Sequence, residues 1–173
     1  MFKTLFVAVA ASAFVWTSLR ADDEKASKLP AELQAFTDMI GEWDEELTNK
    51  TSGRKTKSIT KKAWAIGGKF IRMDGVWNPG KTEFHSLLAF DAMTNTYRTW
   101  YFDSEGTMPR SPMTGDWDAK ARTLSWKSTD ENGIRTVGVT TVVDKDNHHW
   151  TMKVADKDGN TLAELEGVNK RRK

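Results

Sequence analysis

Ile40-Gly41-Glu42-Trp43 is the point at which the apolar period of the chain changes. Before it, Leu33, Phe36, Met39 and Ile40 recur at helical spacing and form one apolar stripe. Pro30 suits the first turn of such a helix, because the N–H it lacks would be unpaired there anyway. Gly41 suits its end. A short helix is therefore expected over 31–40, lying on something larger. After Gly41 the period falls to about 2, the spacing of strands. A glycine here lets another element approach closely. The indole of Trp43 then offers a large apolar plug with one N–H to satisfy.

Turn chemistry recurs along the rest of the chain. It appears at Thr51-Ser52-Gly53, Gly67-Gly68, Asn78-Pro79-Gly80, Asp91 to Asn95, Asp103 to Gly106, Asp118 to Arg122, Asp130 to Gly133, Asp144 to Asn147 and Asp156 to Gly159. Nine turns imply ten strands. The intervening runs, such as Thr99-Trp100-Tyr101-Phe102 and Val137 to Val143, have strand composition. Pro109 and Pro112 mark one irregular or edge segment. Closure into a barrel removes exposed edges, and short links favour an up-and-down order over a Greek-key sandwich. The expected fold is all-β: a ten-stranded antiparallel up-and-down β-barrel over 31–173 with one N-terminal capping helix.

Residues 1–21 read differently. Lys3 precedes an apolar run from Leu5 to Trp16, followed by a small residue, Ala21, and the acidic Asp22-Asp23-Glu24. That is the pattern of a secretory signal with cleavage after Ala21, and the run is shorter than the ~20 residues a spanning helix needs. An exported protein, periplasmic or extracellular, is expected, with a mobile linker over 22–30 and no membrane span once the signal is removed. The chain has 26 Lys+Arg against 24 Asp+Glu. Lys3 and Arg20 account for that excess, so the mature body is neutral and lacks the basic face that nucleic acid requires. The basic tail Lys170-Arg171-Arg172-Lys173 reads as a solvated terminus. There is no cysteine, which excludes disulfides and thiol chemistry.

No catalytic constellation is visible. His148 and His149 are strand neighbours and point to opposite faces, so they cannot share an inward metal; no metal or cofactor is expected. Turn-proximal surface positions are the plain reading for both. A lone axial histidine is chemically sufficient for haem, which keeps a late-strand histidine as an alternative. His85 lies mid-strand and, if inward, is the best single acid, base or hydrogen-bonding group. Asp156-Lys157-Asp158-Gly159-Asn160 hints at a calcium loop, but its twelfth position is Gly167 instead of a bidentate Glu. Ile71, Met73, Gly75 and Trp77 share one strand face, expected inside, and Arg72, Asp74 and Val76 the other. Seven of the eight Trp lie beyond the first stretch, on seven different strands, and are expected to fill the barrel or line a cavity in it.

The motifs Gly41-x-Trp43, Trp64-Ala65-Ile66-Gly67-Gly68-Lys69-Phe70-Ile71, Leu87-Leu88-Ala89-Phe90-Asp91 with Tyr97, and Gly115-x-Trp117-Asp118 together resemble a bacterial lipocalin-like family catalogued as domain of unknown function 1579. The likeness spans about residues 36–170. Ile66 stands for the usual Leu, Lys69 for Arg, and Ala89-Phe90 for Gly-Tyr. The resemblance implies a calycin-type barrel and no established activity. The expectation for function is a barrel that binds a small apolar or amphipathic molecule, with Trp43, Met73, Trp77, His85 and Trp100 as candidate ligand contacts. The alternatives are an interaction or structural module of the cell envelope, and a haem protein or enzyme built on a single histidine.

Overall fold

The computed structural model describes residues 29–77, 81–106 and 112–173. The expected signal segment, nearly all of the linker, the Asn78-Pro79-Gly80 turn and Pro109 lie outside the described residues. The chain opens with a one-turn helix α1 (Ala31–Gln34) and a 3-10 turn (Thr37–Met39). Ten strands follow: β1 (Gly41–Asn49), β2 (Lys55–Ala65), β3 (Phe70–Trp77), β4 (Thr82–Asp91), β5 (Thr96–Asp103), β6 (Met113–Asp118), β7 (Thr123–Thr129), β8 (Arg135–Val142), β9 (Asn147–Ala155) and β10 (Thr161–Arg171). The helix is therefore shorter than its apolar stripe suggests. The stripe is shared between α1 and the 3-10 turn, and Ile40 is already extended.

Each strand pairs antiparallel with its predecessor, and β10 pairs with β1 to close the barrel. That seam runs from Trp43 opposite Arg171 to Asn49 opposite Leu165. Short links dictate the order: each strand meets the one before it, and only the first and last retain free edges. Pairing them satisfies both edges. The turns are built locally. Asp91, Asp118, Asp130, Asp144 and Asp156 each accept a bond through Oδ1 from the backbone N–H two residues on. This is the Asx turn that Asp favours at a strand end.

One mouth is closed by the N-terminal segment. Leu33 and Phe36 are fully buried against Ile71, Tyr97 and Leu124, with Trp64, Phe90 and Trp117 around them. Phe36 sits edge-on to Tyr97 (centroids 5.3 Å apart) and to Trp117 (4.9 Å). The Tyr97 hydroxyl donates to the Glu32 carbonyl at 2.9 Å. Burying each of Leu33 and Phe36 contributes about 1.5–3 kcal/mol, enough to hold a segment too short to be a stable helix alone.

Inward-facing glycines make room for large rings across the sheet. Gly75 lies opposite Phe84, Gly115 opposite Trp126 and Gly167 opposite Trp150. In each case the ring occupies the space a Cβ would need. The space beside Gly75 is thus filled by the protein itself. Phe84 is clamped there by Trp77 and Tyr101, stacked at 5.0 and 5.6 Å, so it cannot retreat. Gly75→Ala should cost about 1–3 kcal/mol through overpacking, measured as a drop in the denaturation midpoint.

Candidate functional site

The barrel encloses a cavity of about 870 Å³. Its lining runs from Met39, under the N-terminal plug, to Arg54, Thr82 and Glu105 at the opposite rim. The walls are largely apolar and aromatic, with Leu47, Met73, Trp77, Phe84, Leu88, Tyr101, Trp126 and Met152 facing in. Their polar tips are paired. Trp77 Nε1 donates to the Tyr101 hydroxyl at 3.2 Å, and Trp126 Nε1 to the Thr140 hydroxyl at 3.3 Å.

The floor is polar. Lys62 Nζ lies 2.6 Å from His148 Nε2, and the two residues are only 6% and 2% exposed. Glu45 Oε1 accepts from the Trp150 indole and, at 3.1 Å, from Asn169 Nδ2. Beneath them Trp43 is wholly buried. Its indole N–H donates to the Met39 carbonyl at 2.9 Å, and its ring meets His148 edge-on at 4.2 Å. The Arg171 guanidinium lies 4.4 Å from the centre of the Trp43 ring. Its nitrogens reach the carbonyls of Ile40, Asp38 and Lys145, tying the plug to the last strand. Gly41, at φ 133°, leaves space for that guanidinium, which a side chain would occupy.

Burial sets the electrostatics of this floor. It pushes the Lys62 ammonium down to about 8, with Glu45 pulling the other way and Arg171 adding to the fall. Burial, then Lys62 and Arg171, hold His148 far below the usual imidazole range. Burial raises the Glu45 carboxyl, partly offset by the Trp150 bond and by Lys62. His148 is therefore neutral. An ammonium can only donate, so Nε2 accepts from Lys62 and the ring proton sits on Nδ1. That Nδ1 is buried without a partner among the described residues.

Met73 and Trp77, of the sequence-predicted ligand contacts, line the cavity. Trp43 lies behind the floor as its stopper. Trp100 and His85, whose facing the sequence leaves open, point outward and do not line the cavity. His85 pairs across the sheet with outward-facing Asp74, and its Nδ1 lies 2.7 Å from Asp74 Oδ1, which Arg72 also engages through the second oxygen at 2.8 Å. Trp100 lies opposite Leu87, while its neighbours Thr99 and Tyr101 line the interior. His148 is not a surface histidine; His149 is. With Nε2 held by Lys62 and the ring packed on Trp43, His148 does not fit the role of an axial haem ligand. Among the described residues no group of His, Asp and Glu is arranged to hold a metal ion.

The sequence reading missed Glu45, Lys62, Asn169 and Arg171. Same-face counting from Trp43 would have placed Glu45 inside. Arg171 belongs to the run read as a solvated tail, yet strand alternation turns it onto Trp43.

Solved structures share this architecture. The S-type phycobiliprotein lyase CPES from Guillardia theta matches with a TM-score of 0.57 at 10% identity, over 83% of this chain and 94% of that one. Rv2717c from M. tuberculosis matches with a TM-score of 0.58 at 11% identity, over 84% and 99%. At such identities the likeness is one of fold. No curated protein matches the sequence. The family described as "Protein of unknown function (DUF1579)" matches residues 29–171, nearly all of the described chain, and the protein belongs to that family.

Proposed function

We propose that this protein is an exported barrel that binds a small amphipathic molecule in its interior. The observation that carries the reading is the cavity of about 870 Å³, walled by aromatic and aliphatic side chains and floored by polar ones. Ligand sites are typically concave, mostly apolar, about 300–1,000 Å³ in volume and equipped with a few placed polar groups. A barrel filled solid by its own side chains would have left no such volume. Export rests on the N-terminal pattern of Lys3, the apolar run and Ala21, and is tested by fractionating cells that express the full chain.

Binding is tested by titrating the purified protein with Nile red, an uncharged apolar fluorophore, and by native mass spectrometry. Saturable one-to-one binding is expected. Ser86 and Thr99 are diagonal neighbours on β4 and β5, both on the cavity wall, with hydroxyls 3.1 Å apart. Ser86→Phe should fill this level and weaken Nile red about tenfold or more, the scale of losing one well-packed contact. Absence of saturable binding in the wild type would remove the carrier reading.

A further inference from the structure

We propose that the occupant of the cavity is an acidic amphiphile whose carboxylate is received by Lys62 at the floor, with its apolar body lying between the Trp77–Phe84–Tyr101 stack and Trp126. This rests on the binding reading above and specifies the ligand's chemical class.

Hydrogen-bond accounting comes first. Lys62 lines the cavity while almost wholly buried. An ammonium has three donors. One points at His148 Nε2, and the others meet no acceptor among the described residues. An unpaired buried donor on a charged group is costly unless it meets an acceptor. A carboxylate oxygen is a strong acceptor for it, because charge-assisted bonds are the strong ones.

Charge balance points the same way. The groups facing Lys62 are Glu45 on β1, His148 on β9 and Arg171 on β10; its cross-strand neighbours, Gly41 and Met73, are uncharged. Glu45 is engaged by Trp150 and Asn169 instead of by Lys62. Asp146, 3.3 Å from Arg171, stands half-exposed at the outside. Arg171 thus has its own carboxylate and lies outside the cavity lining, whereas Lys62, which lines it, has no carboxylate within ion-pair distance among the described residues.

The apolar surroundings fix orientation. A chain carrying a negative charge at one end can place it away from the aromatic wall only at this floor or at the opposite rim, where Asp103 and Glu105 stand against Arg54 and disfavour an anion. The affinity should therefore depend on whether Lys62 is charged. It should hold between the ligand's own carboxyl titration and about pH 8, and decline above that as the free protein's ammonium loses its proton.

The experiment compares dodecanoate with dodecanol, both below micellar concentration, as competitors for Nile red. Dodecanoate should bind the wild type about tenfold tighter than dodecanol at pH 7, the scale of one charge-assisted bond. That margin should shrink between pH 8 and 10. Lys62→Met should abolish it, bringing dodecanoate down to the level of dodecanol. If that variant fails to fold, the wild-type pH profile decides alone. Equal binding of acid and alcohol, or a margin unmoved by pH, overturns the carboxylate assignment and leaves the pocket standing. Failure of Nile red and both competitors to bind overturns the pocket itself.

Discussion

Trp43→Ala should lose about 3–5 kcal/mol of stability, the range for truncating a fully buried large aromatic. Few side chains in the molecule are so committed. The ring is wholly buried, its N–H is bonded to the Met39 carbonyl, and its faces and edges meet Arg171 and His148. Removing it leaves a void beside a buried lysine and a buried imidazole and takes away the ring on which Arg171 rests. Water drawn into that void would solvate the floor but sever the plug from the barrel. Whole domains of this size hold about 5–15 kcal/mol, so this one substitution removes a large share of the margin. Trp43→Phe keeps most of the apolar volume and loses the N–H bond, and should cost less, about 1–2 kcal/mol. Urea midpoints for the wild type and the two variants would measure this. A Trp43→Ala midpoint near that of the wild type would mean that the plug contributes little.

Acidification should weaken the fold well before the exposed carboxylates titrate. His148 is held far below its ordinary 6.5 by burial, then by Lys62 and Arg171. In the unfolded chain it takes up a proton below about 6.5; in the native barrel it does not. The unfolded state therefore binds more protons across that window, and stability present above 6.5 drains away as the pH falls. Between pH 7 and 5 the loss should be about 2 kcal/mol, from the 1.36 kcal/mol that each pH unit carries for one fully linked proton. Glu45 works against this trend. Its raised carboxyl takes up a proton more readily in the native state, which relieves part of the loss as the pH falls toward its own titration. Lys62 acts at the other end: its ammonium, lowered to about 8, makes the native state release a proton first, so stability should rise from pH 8 toward 10. His148→Gln removes the imidazole and should flatten the pH 7-to-5 slope. A wild-type denaturation midpoint that stays level across that range would contradict the buried neutral histidine.

The sequence carried the strand plan because strand plans are local. Period-2 alternation, Asp-led turns and short links need no knowledge of distant residues, and with two free edges left over they require closure. The switch at Gly41 and the inward face of Met73 and Trp77 follow from the same arithmetic. Alternation failed where it was silent. Trp100-Tyr101-Phe102 is apolar at every position, so no pattern says which ring points in. His85 sits in a strand whose face is set by its register against β3, and a shift of one residue would have put it inside.

The floor could be read in this way only at Glu45, and not as a cluster. Lys62 and His148 are 86 residues apart in sequence, and Glu45 and Asn169 are 124 apart. Lys62, His148 and Asn169, each taken alone on its strand, look like ordinary polar residues of a solvent face. Only the closing of β10 on β1 brings them to one level above Trp43, and only there does removal from water make their charges interact strongly. The wall of the barrel was thus determined by local pattern, whereas its chemistry was decided by long-range register and burial, which no window along the chain contains.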